Sequence, residues 1–168
     1  YYAAAVQLPF RFNDGGGDEY DGPATVTWYN AAGRMIGSRD YEVTYTLVDG
    51  AISSYTLGTE LARRHVDYDV SGLAEQSTAW HDIAGDGAYT TKYFYDALGR
   101  LDYSVNPNGT VVRNAYDALD RVVEVEMGVA DGSDLPTEMK TVSMTIFDGS
   151  GSTPGAGDGN VTRVIEPV

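Results

Sequence analysis

A seven-residue pattern that returns along the chain restricts its folding more than any other feature. It consists of an aromatic, usually Asp or Asn, two small or apolar residues, Gly, then Arg and an apolar residue. It reads Tyr29-Asn30-Ala31-Ala32-Gly33-Arg34-Met35 and Tyr68-Asp69-Val70-Ser71-Gly72-Leu73-Ala74 in the first half of the sequence. It returns as Tyr95-Asp96-Ala97-Leu98-Gly99-Arg100-Leu101 and as Tyr116-Asp117-Ala118-Leu119-Asp120-Arg121-Val122. A fifth, broken copy begins at Phe147-Asp148 and resumes at Gly159-Asn160-Val161-Thr162 after a Gly/Ser-rich insertion. Self-similarity of this kind marks an architecture in which each copy is one supersecondary unit that needs its neighbours to bury a face.

The chemistry of the copy is that of a turn. The Asp or Asn after the aromatic can fold its side chain onto the backbone two residues on. The Gly four places after the aromatic then takes a positive φ that side chains reach only at a cost. Asp120 stands where the other copies have Gly, and Asp enters the left-handed region more readily than most residues. Pro107-Asn108-Gly109 separates the third and fourth copies, and Asn-Gly is a two-residue hairpin signal. Tyrosines should therefore occupy equivalent places on successive hairpins, and the arginines should reach across a strand to an Asp of the next unit.

Between the turns the hydrophobic pattern has period two. Val43, Tyr45 and Leu47 alternate with Glu42, Thr44 and Thr46, and Leu101, Tyr103 and Val105 alternate with Asp102, Ser104 and Asn106. The same holds for Val123, Val125 and Met127, and for Val142, Met144 and Ile146. Such alternation predicts antiparallel strands with one wet face. The 13 Tyr and 20 Gly in 168 residues agree, since Tyr favours strands and Gly supplies turns. Thr59 to His65 is the one stretch that reads as a candidate short helix. The expected fold is all-β: stacked antiparallel hairpins in a twisted, open or spiralling sheet. Residues 1–25 form an acidic N-terminal segment that can supply a first strand, and residues 26–168 carry hairpin units near 26–41, 63–77, 89–105, 110–127 and 139–166.

The repeated string Tyr95-Asp96-Ala97-Leu98-Gly99-Arg100-Leu101 and its sisters resemble the YD repeat of RHS-type proteins, a group of bacterial surface and secreted proteins, toxin-encapsulating shells and animal teneurins. Residues 26–168 carry the resemblance. It implies a spiralling sheet of hairpins, which in relatives often closes into a hollow shell around a toxin. Five hairpins are too few for a shell. Self-cleaving relatives also carry Asp-Pro followed by Gly-Leu, whereas Asp69-Val70-Ser71-Gly72-Leu73 lacks the Pro, so autoproteolysis is not carried over.

Charge and composition exclude several other functions. With 25 Asp and Glu against 11 Lys and Arg the net charge is −14, which repels polyphosphates and anionic lipid; no nucleic-acid partner is expected. The absence of Cys excludes thiolate chemistry and disulfides. No apolar run reaches the length of a membrane span, and no signal peptide is visible. The first residue, Tyr1, reads as a processed product or a segment of something longer.

His65 and His81 are the two histidines; His81-Asp82 with Ser77 nearby invites a triad, but no nucleophile elbow is present and no enzyme is expected. Two Gly-bent acidic loops, with Asp14, Asp18 and Asp21 in the first and Asp148 and Asp158 in the second, offer the hard oxygens that suit Ca²⁺, in neither case in EF-hand order. No other cofactor is expected. Asn108-Gly109-Thr110 and Asn160-Val161-Thr162 are glycosylation triplets. Trp28 alternates with Val26 and reads as core; Trp80, in a loop-like stretch, reads as the better contact for a sugar.

The function expected is a structural segment of an extracellular or cell-surface bacterial scaffold, acidic and filament-forming where open strand edges join end to end. Its partners would be copies of itself or flanking repeats of a longer chain. The alternatives are an adhesion module for surface glycans or another cell, and a fragment of a toxin-encapsulating shell.

Overall fold

Turn residues at short intervals and alternating strands give the chain the form read from its sequence. The computed structural model describes residues 3–8, 10–13, 18–21, 23–49, 51–147 and 161–166. It is all-β, with no helix among those residues. The strands are β1 (Ala3–Gln7), β2 (Phe10–Asn13), β3 (Asp18–Asp21), β4 (Ala24–Tyr29), β5 (Met35–Val48), β6 (Ala51–Tyr68) and β7 (Ala74–Asp82). They continue with β8 (Gly87–Tyr95), β9 (Leu101–Val105), β10 (Thr110–Tyr116), β11 (Val122–Ala130), β12 (Pro136–Phe147) and β13 (Val161–Ile165).

Eleven of them form one open antiparallel sheet in the order β1-β4-β5-β6-β7-β8-β9-β10-β11-β12-β13. From β4 onward each strand pairs with its sequence neighbour, so the sheet is a meander. β1 from the acidic N-terminal segment pairs with β4, from Ala3↔Tyr29 to Gln7↔Thr25. The intervening β2 and β3 make a separate two-stranded sheet. The chain divides into two units, residues 1–90 and 91–168, with the boundary inside β8.

The stretch from Thr59 to His65 is strand, not helix. It lies within β6, where Arg63 pairs with Arg39 and His65 with Gly37; cross-strand bonding to β5 overrides its weak helical pattern. The expectation of one dry face also needs correction. Among the described residues only four apolar side chains are buried, Ala24 and Val26 in the first unit and Val105 and Val111 in the second. Val105 and Val111 face each other across the β9–β10 turn. Most other side chains of the alternating strands are half-buried.

Candidate functional site

Six turns among the described residues are built alike. They begin at Asn30, Asp69, Asp96, Asn106, Asp117 and Asp131. In each, the first residue's N–H donates to the carbonyl four residues on, and its own carbonyl accepts from the N–H three residues on, as in Asp96 with Arg100 and Gly99 at 2.9 and 3.0 Å. The fourth residue has positive φ at Gly33, Gly72, Gly99, Gly109, Asp120 and Asp134. This is a tight turn closed by a left-handed residue, one of the common hairpin connections.

The side chain of the first residue ties the loop down. Asn30 and Asp96 each accept the N–H groups two and four residues on through Oδ1, from Ala32 and Arg34 and from Leu98 and Arg100, all at 2.9–3.0 Å. Asp117 and Asp131 do the same, and Asp69 accepts from Leu73.

Four of the six turns are the motif copies; the other two lack the leading aromatic. Asn106 to Thr110 adopts this loop rather than a two-residue Asn-Gly hairpin, and Asp131 to Leu135 follows Ala130 instead of an aromatic. An Asn or Asp three places before a Gly or Asp is the signal that both turns share.

The aromatic marks a second regularity. The pairing register slips by one residue just before Tyr29, Tyr68, Tyr95 and Tyr116, and again before Phe147 of the broken fifth copy. Each aromatic thus stands beside a β-bulge, where one residue of the returning strand is skipped.

The repeat residues meet their neighbours in a fixed way. In the first unit the Arg34 guanidinium lies over the Tyr68 ring at 5.8 Å, and the Tyr68 hydroxyl donates to the Met35 carbonyl at 2.8 Å. In the second unit Arg100 lies over Tyr116 at 4.5 Å, and the Tyr116 hydroxyl donates to the Leu101 carbonyl at 2.8 Å. Arg121 lies over Phe147 at 3.9 Å. Where a motif copy carries the arginine, that arginine therefore caps the aromatic of the following copy; the second copy has Leu73 in its place. Tyr29, Tyr68, Tyr95 and Tyr116 are all half-buried, neither interior nor exposed.

The closeness of each stack follows from the first turn residue. Arg100 and Arg121 are held by forked pairs to Asp96 and Asp117, with Nε–Oδ2 at 2.8 Å and Nη2–Oδ2 at 2.7 Å in both. Both N–H groups converge on the one Oδ2 oxygen, and this charge-assisted fork orients the guanidinium. Arg34 has Asn30 in that place, and its stack is the longest of the three.

Hydrogen bonding lowers the affinity of both carboxyls for protons. Asp96 is held below the ordinary carboxylate range mainly by the Arg100 backbone N–H, and Asp117 mainly by the Arg121 side chain. The Arg100 guanidinium also reaches the turn of the next motif copy, bonding Asp120 at 2.7 Å. In the first unit Arg34 lies where a side chain on Gly72 would point. One repeat position thus meets the preceding arginine as bare backbone at Gly72 and as a carboxylate at Asp120.

A different arrangement occupies the face of the first unit across β4 to β7. Trp28, Ile36, Gly37, Arg39, Arg63, Arg64, His65 and Trp80 line a concavity of about 240 Å³. Gly37 pairs with both Trp28 and His65, and its lack of a side chain leaves the gap between them. Arg39 stacks on Trp28 at 5.4 Å and Arg63 on Trp80 at 5.3 Å. Glu60 lies between the arginines, 2.6 Å from Arg63 and 3.6 Å from Arg39, and the Arg63 hydrogen bond holds its carboxyl below the ordinary range. The Trp80 indole N–H donates to Asp86 at 2.8 Å. Trp28 is therefore half-buried beside an opening rather than core, and Trp80 stands on a strand rather than in a loop.

The remaining candidates stay apart. His65 bonds Asp67 at 2.9 Å, and the Asp67 carboxyl is held low mainly by Gln76. His81 stacks on Tyr89 at 4.3 Å, while Asp82 accepts the Gly85 N–H in a turn. Asp14, Asp148 and Asp158 lie outside the described residues, as does Asn160 of the second glycosylation triplet. Asp18 and Asp21 stand on β3, their side chains outside the described part. Among the described residues no group of three or more His, Asp or Glu is placed to hold a metal ion, and no helix is long and apolar enough to cross a membrane.

Compared with models of known protein families the chain has no match, and no curated protein matches it.

Proposed function

We propose that the chain is a non-enzymatic segment of an extracellular or cell-surface bacterial scaffold of YD-repeat type, whose hairpins continue into flanking repeats or further copies through strand edges. The observation that carries this reading is the open sheet with β1 at one end and β13 at the other, each paired on one side among the described residues. Natural proteins blunt exposed edges with charge, Pro or very short strands. β1, Ala3-Ala4-Ala5-Val6-Gln7, has no charged residue and no Pro, and β13, Val161-Thr162-Arg163-Val164-Ile165, has one charge. Val6, Val161 and Val164 are 43%, 54% and 55% exposed.

The stacked arginines and aromatics support the same reading. Each links one hairpin to the next, so stability accumulates along the array as in other repeat proteins. The sparse buried core also fits a sheet stabilised by continuation. Negative-stain electron microscopy of the protein from its source tests the proposal: long regular fibres are expected, and discrete globular particles at high concentration would overturn end-to-end assembly.

A further inference from the structure

Both tryptophans of the chain and three of its eleven cationic Lys and Arg residues, Arg39, Arg63 and Arg64, converge on the β4–β7 concavity, although the chain as a whole is strongly acidic. The ladders that join the hairpins do not need this arrangement. Trp28, Arg39, Arg63 and Trp80 lie outside the turn motif, and Gly37 is an ordinary strand position with no positive φ. A side chain there would meet the Arg64 carbonyl at 2.9 Å, so the opening is maintained by the backbone itself.

We propose that this concavity binds one pyranose ring of a neutral polysaccharide. A pyranose has a face of C–H bonds and a rim of hydroxyls that both donate and accept. The two indoles and the His65 ring supply flat apolar walls of the kind that line ligand sites with few polar groups. Arg39 and Arg63 line the opening and donate to the hydroxyls, while Glu60, outside the lining, holds both guanidinium groups in place. The stacked arginines and the Trp80–Asp86 bond fix the indoles before a ligand arrives, which reduces the ordering cost of binding. The volume, below the roughly 300–1,000 Å³ of drug-sized pockets, suits a single ring.

Charge balance selects the neutral sugar. Glu60 and Asp86 already face Arg39 and Arg63, and around the third lining cation, Arg64, the net charge of −14 repels polyanions. The site does not depend on whether the chain assembles into fibres.

Intrinsic fluorescence is a direct probe, because Trp28 and Trp80 are the only tryptophans and both line the site. The intact protein is titrated with soluble dextran, mannan and a β-glucan, and with polygalacturonate as the anionic comparison. A saturable change with a neutral polymer is expected, together with saturation transfer from the indole protons to sugar C–H protons by NMR. Trp80→Ala should weaken the binding at least ten-fold while circular dichroism remains that of the sheet; Trp80→Phe should recover part of it. No saturable change or transfer with any neutral polymer, or binding of polygalacturonate alone, would overturn the proposal. The NMR measurement on the unaltered protein decides the matter if the Ala variant does not fold.

Discussion

Gly33 and Gly72 occupy the same place in two copies of the turn, with φ of +76° and +84°, yet their surroundings differ. Nothing approaches within 4 Å of a side chain added at Gly33, whereas one at Gly72 would enter the space of the Arg34 guanidinium. Gly33→Ala therefore isolates the backbone cost. A left-handed residue with a Cβ costs ~1–2 kcal/mol, and the stiffer unfolded chain returns ~0.4–1 kcal/mol, leaving a net loss near ~1 kcal/mol. Gly72→Ala adds the displacement of Arg34 from Tyr68, worth ~0.5–1 kcal/mol for an exposed stack.

For a chain of this size 1 kcal/mol shifts Tm by ~2–4 °C. Thermal melts followed by circular dichroism should place Gly72→Ala roughly 1–4 °C below Gly33→Ala. In an Arg34→Ala background the added cost at Gly72 should vanish, and the two glycine variants should lose equally. Equal melting of Gly33→Ala and Gly72→Ala in the native background, or an unchanged difference without Arg34, would refute the role assigned to the Arg34–Tyr68 stack.

Three other outcomes follow from the same geometry. Val111, fully buried against Val105, should cost ~1.5–3 kcal/mol as Val111→Ala, from two lost methyl groups and the cavity left behind; urea unfolding reads this, and a loss under 0.5 kcal/mol would mean the pair is not core. Tyr116→Phe removes only the hydroxyl bond to Leu101 and should cost ~0.5–1.5 kcal/mol, with Tyr116→Ala costing clearly more in the same unfolding assay because the Arg100 stack goes too. Asp96 and Asp117 have depressed folded-state proton affinities. Their contribution is therefore complete above the unfolded carboxylate value near ~3.9 and is lost as the pH falls through the lower folded values. Urea midpoints should be flat from neutral pH to about 5 and decline below about 4, with Asp117→Asn declining less steeply.

The legible parts of the fold were those written in short-range chemistry. Alternation at Leu101 to Val105 and at Val142 to Ile146 became β9 and β12, because a period of two admits only a strand. Asp120 was readable as a glycine substitute, since the turn demands a left-handed residue and Asp tolerates it. The Asp131 turn lacks the aromatic that marks the motif copies, while the backbone needs only the Asx side chain and a left-handed fourth residue. Trp28 departs from a core position for a different reason. Its alternation with Val26 is real, but whether such a face is covered depends on the strand opposite, and there Gly37 offers no side chain. The concavity is thus a product of register, assembled from four strands whose pairing no local pattern announces. The same holds for the arginine stacks: their residues are visible in the repeat, their partners only once hairpins lie side by side.

The central claim, that strand edges are joined between chains, is tested most directly by amide hydrogen exchange of Ala3–Gln7 and Val161–Ile165 as concentration is raised. An edge strand leaves about half of its N–H groups facing outward, and pairing with another chain would protect them. The account predicts that these amides exchange quickly in dilute protein and become as protected as those of β9 and β10 when it is concentrated. Edge amides that remain fast at every concentration, while the inner strands stay protected, would contradict it.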